Sequence, residues 1–217
     1  GSIVFPTYEY AFLARELGLM DATQVRLVEY SSNTYALRAL AAGQIEAAQL
    51  TLDEVITARS AGIGLSVVLV LDVSAGSDAV YARQGVSLAN LAGQRIALEE
   101  GSTGAVLLDG LLRAARLSVD QIRKVPSTLA LSAEVFEHGE ADVVVTAEPW
   151  ASQIERAGGV RLARPATEIN VGAVVRATED NLELVECFDA ANNQMQFVVQ
   201  NRSGAAAAGP AAAEALA

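Results

Sequence analysis

The strongest constraint on this chain is an alternation of short apolar runs and amphipathic helical stretches, which restarts partway along the sequence. A run at 65–71 that is apolar except for Ser66 closes the first series, and a new series begins with the apolar run at 79–82. Alternating strands and helices favour an α/β fold with mostly parallel sheets flanked by helices. We therefore predict two βα lobes, with 1–78 and 176–217 forming lobe one and 79–175 forming lobe two.

Local patterns predict the individual elements. Strands are predicted at 3–5, 25–30, 45–50, 65–71, 79–82, 95–98, 122–125, 143–146, 160–163 and 171–175. Helices are predicted at 8–17, 35–42, from a cap at Thr51 or Asp53 to 61, and at 105–115, 130–138, 149–156 and 179–200, with an Ala-rich, helical tail from 204. Because six of the seven residues at 65–71 are apolar, we expect that strand to be buried.

Charge and hydropathy exclude several partners. The formal net charge is −11 and the pI is about 4.5. A nucleic-acid backbone or an anionic membrane surface is bound by basic faces, so neither partner is predicted. No stretch is long and apolar enough to predict a transmembrane helix. The first residues show no basic region followed by a long apolar region, so no signal peptide is predicted. We expect this pattern both in a mature exported chain and in a cytosolic one.

The scarcity of reactive side chains argues against catalysis. The chain has one cysteine, Cys187, one histidine, His138, and one lysine, Lys124. A disulfide within the chain and a zinc site of clustered Cys and His are therefore excluded. A nucleophilic triad would need His138, and a Schiff base would need Lys124. We predict no catalytic residue, no metal site, no cofactor and no enzymatic activity.

Polar residues follow the predicted strands, where ligands bind in open α/β sheets. Hydroxyl, carboxylate and aromatic side chains dominate these positions, and none of them is Lys or Arg. The predicted ligand-binding residues are Tyr8, Ser31, Ser32, Asn33, Thr51, Asp53, Ser74, Asp78, Ser102, Thr103, Thr128, Glu148 and Trp150. Ser, Thr, Asn and Asp after a strand can instead be helix N-caps. Trp150 can equally belong to the core.

Several segments resemble a known family. They include PTYEYAFLARELGL, VRLVEYSSNTYALRALAAGQIEAAQLTLDE, LAGQRIALEEGSTGAVLL and GEADVVVTAEPWAS. These segments resemble the periplasmic solute-binding proteins of ABC importers, within the group that handles nitrate, sulfonates, taurine and pyrimidine precursors of thiamine. The resemblance extends from residue 3 to about residue 176.

This resemblance implies a type II periplasmic binding fold with the ligand cleft between two lobes. It also implies a periplasmic monomer that closes about a hinge on a small molecule and delivers it to an importer permease. By the same resemblance, the residues in cleft loops are Tyr8, Ser31, Thr51, Asp53, Ser74, Asp78, Ser102, Thr103 and Glu148. Two alternatives remain open: a pyrimidine-precursor synthase-like enzyme of the same fold, and the ligand-binding domain of a sensor.

Two acidic positions suggest the charge of the ligand. Asp53 and Glu148 each come two residues after a strand-end threonine, in matching places of the two half-chains. Two carboxylates in a poorly hydrated cleft repel each other and resist desolvation. A ligand with an amine or aminopyrimidine would relieve both costs. The alternative is that both acids only cap their own helices.

Overall fold

A computed structural model describes residues 1–73, 77–163 and 195–201. The helices in these ranges are α1 (Glu9–Glu16), α2 (Asn33–Ala41), α3 (Leu52–Ser60), α4 (Thr103–Ala115), α5 (Ser132–Glu137) and α6 (Trp150–Arg156). The strands are β1 (Ala47–Thr51), β2 (Leu65–Val73), β3 (Ala79–Ala82), β4 (Arg95–Leu98), β5 (Arg123–Pro126), β6 (Val143–Thr146), β7 (Val160–Ala163) and β8 (Met195–Asn201). None of the described helices has the length and apolar content that a bilayer crossing would need.

The α/β fold class is confirmed. Strands β3, β4, β6 and β7 occupy the predicted bounds, and α1 to α6 lie where helices were predicted. The start of α2 shows the local cause, because Ser32 is its N-cap and accepts a hydrogen bond from the Tyr35 N–H at 3.4 Å. The helix stops before Gly43, which adopts φ +68°, a conformation that glycine reaches without strain.

The first two predicted strands, at 3–5 and 25–30, are wrong. The two segments meet at a single parallel bridge between Ser2 and Glu29. The Ser2 N–H donates to the Val28 carbonyl, and the Ser2 carbonyl accepts from the Tyr30 N–H. The β-branched composition favoured strands, but the pairing does not extend beyond this bridge.

The predicted helix at 179–200 is wrong at its end, because Met195–Asn201 forms strand β8. β8 pairs antiparallel with β1 on one side and with β2 on the other. The segment is rich in β-branched and aromatic residues, and two neighbouring strands satisfy its backbone groups. The remainder of that helix, the predicted strand at 171–175 and the Ala-rich tail lie outside the described residues.

Strand β2 lies where predicted, but the expectation that it is buried is wrong. Val68 and Leu69 are 56% and 55% exposed. The register against β8 shifts between Val67 and Leu69 and again between Val70 and Asp72. Such bulges interrupt the regular alternation of side chains between the two faces, so apolar residues of this run reach the surface.

The described residues fall into two compact units. Unit 1 contains 1–73 and β8, and unit 2 contains 77–163. The predicted lobe boundary near residue 78 stays a prediction, and the boundary at 175 and 176 lies outside the described residues. Unit 1 holds a three-stranded sheet in the order β1-β8-β2.

Unit 2 holds a five-stranded sheet in the order β5-β4-β6-β3-β7. β4 runs parallel to β5 and β6, whereas β3 runs antiparallel to β6 and β7. This sheet therefore contains antiparallel pairs in addition to the predicted parallel pairs. Leucines of α4 and residues of α5 and α6 belong to two separate core clusters, each built on residues of this sheet. A Cβ on Gly104 would lie 2.6 Å from the Glu99 carbonyl oxygen, so α4 approaches the end of β4 closely only with glycine there.

Candidate ligand site in unit 1

Tyr8 lies at the start of α1 and is completely buried. Its ring packs against Phe5, with the ring centroids 5.5 Å apart. Its hydroxyl makes no hydrogen bond of good geometry with the described residues, and the Asn33 side chain lies near enough to lower its pKa slightly. Burial, followed by the negative charge of Glu54, raises the pKa of Tyr8 well above its ordinary value. Tyr8 therefore keeps its proton and can donate a hydrogen bond.

Glu54 joins the starts of two helices. Glu54 is almost completely buried, with only 1% of the residue exposed. Its Oε2 accepts from the Asn33 amide Nδ2 at 3.2 Å and from the Thr51 backbone N–H at 2.8 Å. Since Asn33 begins α2 and Thr51 is the N-cap of α3, one buried carboxylate positions both.

Polar side chains of the sheet complete the arrangement. Gln49 donates from Nε2 to the Tyr8 carbonyl at 3.3 Å. Gln49 and Thr51 are two residues apart on β1 and so lie on the same face. Thr51 and Asp72 are both in register with Gln196 of β8, which places them in one row across the sheet. The set Tyr8, Asn33, Gln49, Thr51, Glu54 and Asp72 is called the Tyr8 cluster below.

The Tyr8 cluster contains an unusual density of unsatisfied buried groups. The atoms that have no hydrogen-bond partner among the described residues are Tyr8 OH, Asn33 Oδ1, Gln49 Oε1, Thr51 Oγ1 and Asp72 Oδ1. Leaving a buried polar group unpaired costs about 1–3 kcal/mol. In native structures such groups mark a place where water, an ion or a ligand completes the hydrogen bonds. The cluster is therefore the candidate site.

The predicted ligand-binding residues in unit 1 are only partly brought together. Tyr8, Asn33 and Thr51 belong to the cluster, and Asp53 acts electrostatically on Tyr8 from the first turn of α3. Ser32 caps α2, as its alternative interpretation predicts.

Ser31 is exposed and lines a pocket of about 600 Å³ together with Tyr35 and Arg38. Ser74 lies outside the described residues.

The other predicted residues lie in unit 2. Ser102 is the N-cap position of α4 and Thr103 its first residue, and Thr128 precedes a short 3₁₀ turn. Neither Ser102 nor Thr128 makes a side-chain capping bond. The Asp78 Oδ2 accepts from the Ser77 hydroxyl at 3.4 Å.

Glu148 and Trp150 flank the start of α6. The exposed Glu148 carboxylate accepts from the Ser152 N–H at 3.3 Å and from the Ser152 hydroxyl at 2.9 Å. This geometry matches the capping alternative for Glu148. Trp150 is half-buried and packs against one of the two core clusters of unit 2. A ligand contact by either residue stays a prediction.

Gln49 and Glu54 were missed in the sequence, and Asp72, which follows a predicted strand, was not among the predicted ligand-binding residues. Gln49 is the one polar residue within the apolar stretch 47–50, which is itself a signal. Glu54 follows Thr51 by three residues, the spacing of a capping box. Asp72 follows the apolar run at 65–71, and its importance emerges only once β8 places it beside Thr51.

The two residues on which catalysis would depend are not in the cluster. Lys124 lies on β5 in unit 2 and forms a half-exposed ion pair with Glu100 at 2.8 Å. His138 is the C-cap of α5, and its side chain is 62% exposed. Neither residue contributes to the buried acceptors of unit 1.

The fold is that of periplasmic solute-binding proteins. The alkanesulfonate-binding protein SsuA from Xanthomonas axonopodis pv. citri, solved bound to MOPS, matches with a TM-score of 0.67 and 21% identity, over 100% of this chain and 70% of that one. The chain belongs to the NMT1-like family, which it matches over residues 3–172. A putative aliphatic sulfonates-binding protein of Escherichia coli K12 is 26% identical over 151 residues, 68% of this chain and 47% of that protein.

The C-terminal part of the chain is similar to a different family. Residues 152–208 match the family Rrf2, described as an iron-dependent transcriptional regulator. The HTH-type transcriptional regulator NsrR of Halalkalibacterium halodurans is 66% identical over 38 residues, 18% of this chain and 26% of that protein. The chain thus spans about a quarter of that relative. Strand β8 lies beyond the NMT1-like match and within the Rrf2 match.

Proposed function

We propose that this chain binds a small polar organic solute outside the cytoplasm and delivers it to an ABC-type membrane importer. The Tyr8 cluster is the observation that carries the proposal, because several of its buried polar atoms have no partner among the described residues and a solute could supply one. Membership of the NMT1-like family and the fold of solute-binding proteins support it. The site lies at the ends of β1 and β2 and the starts of α2 and α3, where ligands bind in α/β folds.

The predicted cleft between two lobes, its closure about a hinge and the ligand contacts in unit 2 are part of this proposal. So are the periplasmic location and the permease as partner. Helix starts and hydroxyl groups such as Ser102, Thr103 and Thr128 would contribute polar contacts from unit 2. A binding role without chemistry agrees with the fact that Lys124 and His138 belong to unit 2 and are not members of the cluster.

The experiment that tests this function is native mass spectrometry of the freshly purified full chain, followed by titration of any molecule that co-purifies. A bound solute is expected. Asn33→Ala should weaken its affinity by about tenfold or more, since a hydrogen bond to a buried group is worth about 1–3 kcal/mol. The matched control is Asn90→Ala in unit 2, because Asn90 is exposed and its Oδ1 accepts from the Ser87 N–H.

Asn90→Ala should leave the affinity within a few-fold. Thermal unfolding of both variants without solute shows whether Asn33→Ala still folds, and Gln49→Leu provides a second variant of the same site. The proposal is wrong if no solute co-purifies and no sulfonate, nitrate or aminopyrimidine probe raises the melting temperature. It is also wrong if a solute binds equally well to Asn33→Ala, Gln49→Leu and the parent chain.

A further inference from the structure

A pocket of about 600 Å³ lies beside α2 in unit 1. Its described lining comes from one stretch of the chain, with residues 29–31 on one side and residues of α2 and the turn after it on the other. The volume falls within the range of about 300–1,000 Å³ that is typical of small-molecule sites. None of these lining residues belongs to the Tyr8 cluster, so the pocket is a separate candidate site.

The fold holds both sides of the pocket in place. On one side, the Tyr30 N–H donates to the Ser2 carbonyl at 2.7 Å. On the other side, Leu37 and Leu40 of α2 are buried, so the helix is anchored in the core of unit 1. Small-molecule sites are usually formed before the ligand binds, and this pocket has the rigid walls that such a site needs.

One face of α2 forms a wall of the pocket. Tyr35, Arg38, Ala39 and Ala42 are three or four residues apart, so they lie on the same side of the helix. The side chains of Ala39 and Ala42 are single methyl groups. They therefore leave space between α2 and residues 29–31, with Tyr35 near one end and Gln44 near the other.

The lining offers flat surfaces and a planar cation. The rings of Tyr30 and Tyr35 line the pocket, and the Arg38 guanidinium carbon lies 6.0 Å from the centroid of the Tyr35 ring. An aromatic ring can stack both on a tyrosine and on a guanidinium group. Arg38 has five N–H donors in a fixed fork, so it can bind a carboxylate in addition to the contacts that it makes within the protein.

The charges of the lining favour an anion. Arg38 is half-buried, whereas the Glu29 carboxylate is exposed. Water and salt screen an exposed charge more strongly than a partly buried one, so Arg38 dominates the field inside the pocket. The Ser31 hydroxyl and the Gln44 amide can also donate hydrogen bonds to an anionic group.

We propose that this pocket binds a small aromatic carboxylate, whose ring stacks on Tyr35 and whose carboxylate accepts hydrogen bonds from Arg38. The inference goes beyond the proposed function, because it assigns a ligand site outside the Tyr8 cluster and does not depend on transport.

The test is calorimetric titration of the full chain with three probes: naphthoate, the corresponding naphthamide and the fully saturated decalin carboxylate. Naphthoate combines the ring with the charge, and each of the other two lacks one of these features. Naphthoate should bind about tenfold or more tightly than the amide, since a charge-assisted hydrogen bond contributes at least that factor. It should bind about threefold or more tightly than the saturated acid, because only an aromatic ring stacks on Tyr35.

Variants of the lining test each contact. Arg38→Gln should reduce the preference for naphthoate over the amide to less than about threefold, and Tyr35→Leu should remove the preference over the saturated acid. The matched controls are Arg113→Gln, at an exposed position in unit 2, and Tyr10→Leu on α1, where the tyrosine is 61% exposed against 52% for Tyr35. Both controls should keep both preferences. Ala42→Phe places a ring in the pocket and should weaken naphthoate binding by about tenfold or more.

Thermal unfolding of each variant without probe shows whether it folds, and Ala42→Phe decides the question if Arg38→Gln does not. The inference is overturned if naphthoate shows no saturable binding at millimolar concentration, or if it binds no more tightly than its two analogues. It is also overturned if Arg38→Gln keeps the full preference for the carboxylate, or if Ala42→Phe binds naphthoate like the parent chain. None of these results bears on the proposed function, which is decided by the co-purifying solute and by Asn33→Ala.

Discussion

Carboxylates in both units accept hydrogen bonds from identified partners. In unit 1, the buried Glu54 receives neutral donors from Asn33 and Thr51. In unit 2, Asp142 receives a cation, because Arg95 donates from Nε at 3.0 Å and from Nη2 at 2.7 Å. Two parallel hydrogen bonds from a guanidinium group form the strongest common type of ion pair. A charged partner thus satisfies the Asp142 carboxylate within unit 2.

The Arg95 pair predicts an acid-sensitive contribution to the stability of unit 2. Hydrogen bonding from Arg95 lowers the pKa of Asp142 below its usual 3.8. A lowered pKa in the folded state means that this stabilisation is present above the unfolded pKa and is lost as the pH falls through the folded pKa. Asp142→Asn should therefore reduce stability at neutral pH and weaken the further decline below about pH 4. Since both side chains are partly exposed, the effect should shrink at high salt.

The measurement is urea unfolding from pH 3 to pH 7, followed by the fluorescence of Trp150, which is the only tryptophan in the chain and lies in unit 2. Asp109→Asn is the matched control, because its ion pair with Arg113 is more exposed at both ends than the Arg95 pair. Equal pH dependence for Asp142→Asn and the parent chain would contradict the prediction.

At the scale of elements, the sequence predicted most of unit 2 and less of unit 1. β3, β4, β6 and β7 match their predicted bounds because each is a short apolar run between glycine, proline or polar residues. β8 was not predicted, since a strand inserted from a distant part of the chain has no local signal beyond its composition. Because β8 was not predicted, the prediction of the site was also incomplete. Thr51 was recognised as a strand-end hydroxyl, but its position beside Asp72 depends on β8.

The central position of β8 predicts an unusually large effect of proline. Val198 is in register with Gln49 on one side and with Leu69 on the other. Proline removes a backbone donor and is tolerated in sheets mainly at edges. Val198→Pro should therefore lower the free energy of unfolding of unit 1 by about 1–3 kcal/mol, since it removes a ladder hydrogen bond and leaves a backbone acceptor unpaired. Far-UV circular dichroism should show an earlier transition, while the Trp150 fluorescence transition of unit 2 should stay in place.

Lys124→Pro provides the matched control at the edge of a sheet. β5 pairs only with β4, and the Arg123 N–H donates to the Gln94 carbonyl of the adjoining segment. In a parallel ladder the next N–H points the opposite way, so the Lys124 N–H faces away from β4. This variant should lose only the exposed Glu100 ion pair and remain close to the parent in stability. Equal effects of the two proline variants would contradict the central placement of β8.

At the scale of the whole molecule, the described parts of unit 2 are continuous in the sequence, whereas those of unit 1 come from distant segments. Both core clusters of unit 2 are built from residues between Ala79 and Leu162, an uninterrupted part of the sequence. In unit 1, β1 and β2 do not pair with each other, because β8 lies between them. β8 belongs to the segment that resembles the Rrf2 family, so the sheet under the Tyr8 cluster combines parts with two different similarities.

This difference predicts that the units are not equally independent. A fragment of residues 77–163 should unfold cooperatively in urea, since it contains all five described strands of the unit 2 sheet and both described core clusters. A fragment of residues 1–73 should lack a cooperative transition, because β1 and β2 would lose the strand that joins them.

Fluorescence of Trp150 follows the unfolding of the 77–163 fragment, and far-UV circular dichroism follows both fragments. Adding a peptide of residues 191–203 should restore structure to the second fragment if β8 is the missing partner. A cooperative transition in residues 1–73 alone would show that unit 1 does not require β8, and a 77–163 fragment without one would show that its cores need further chain.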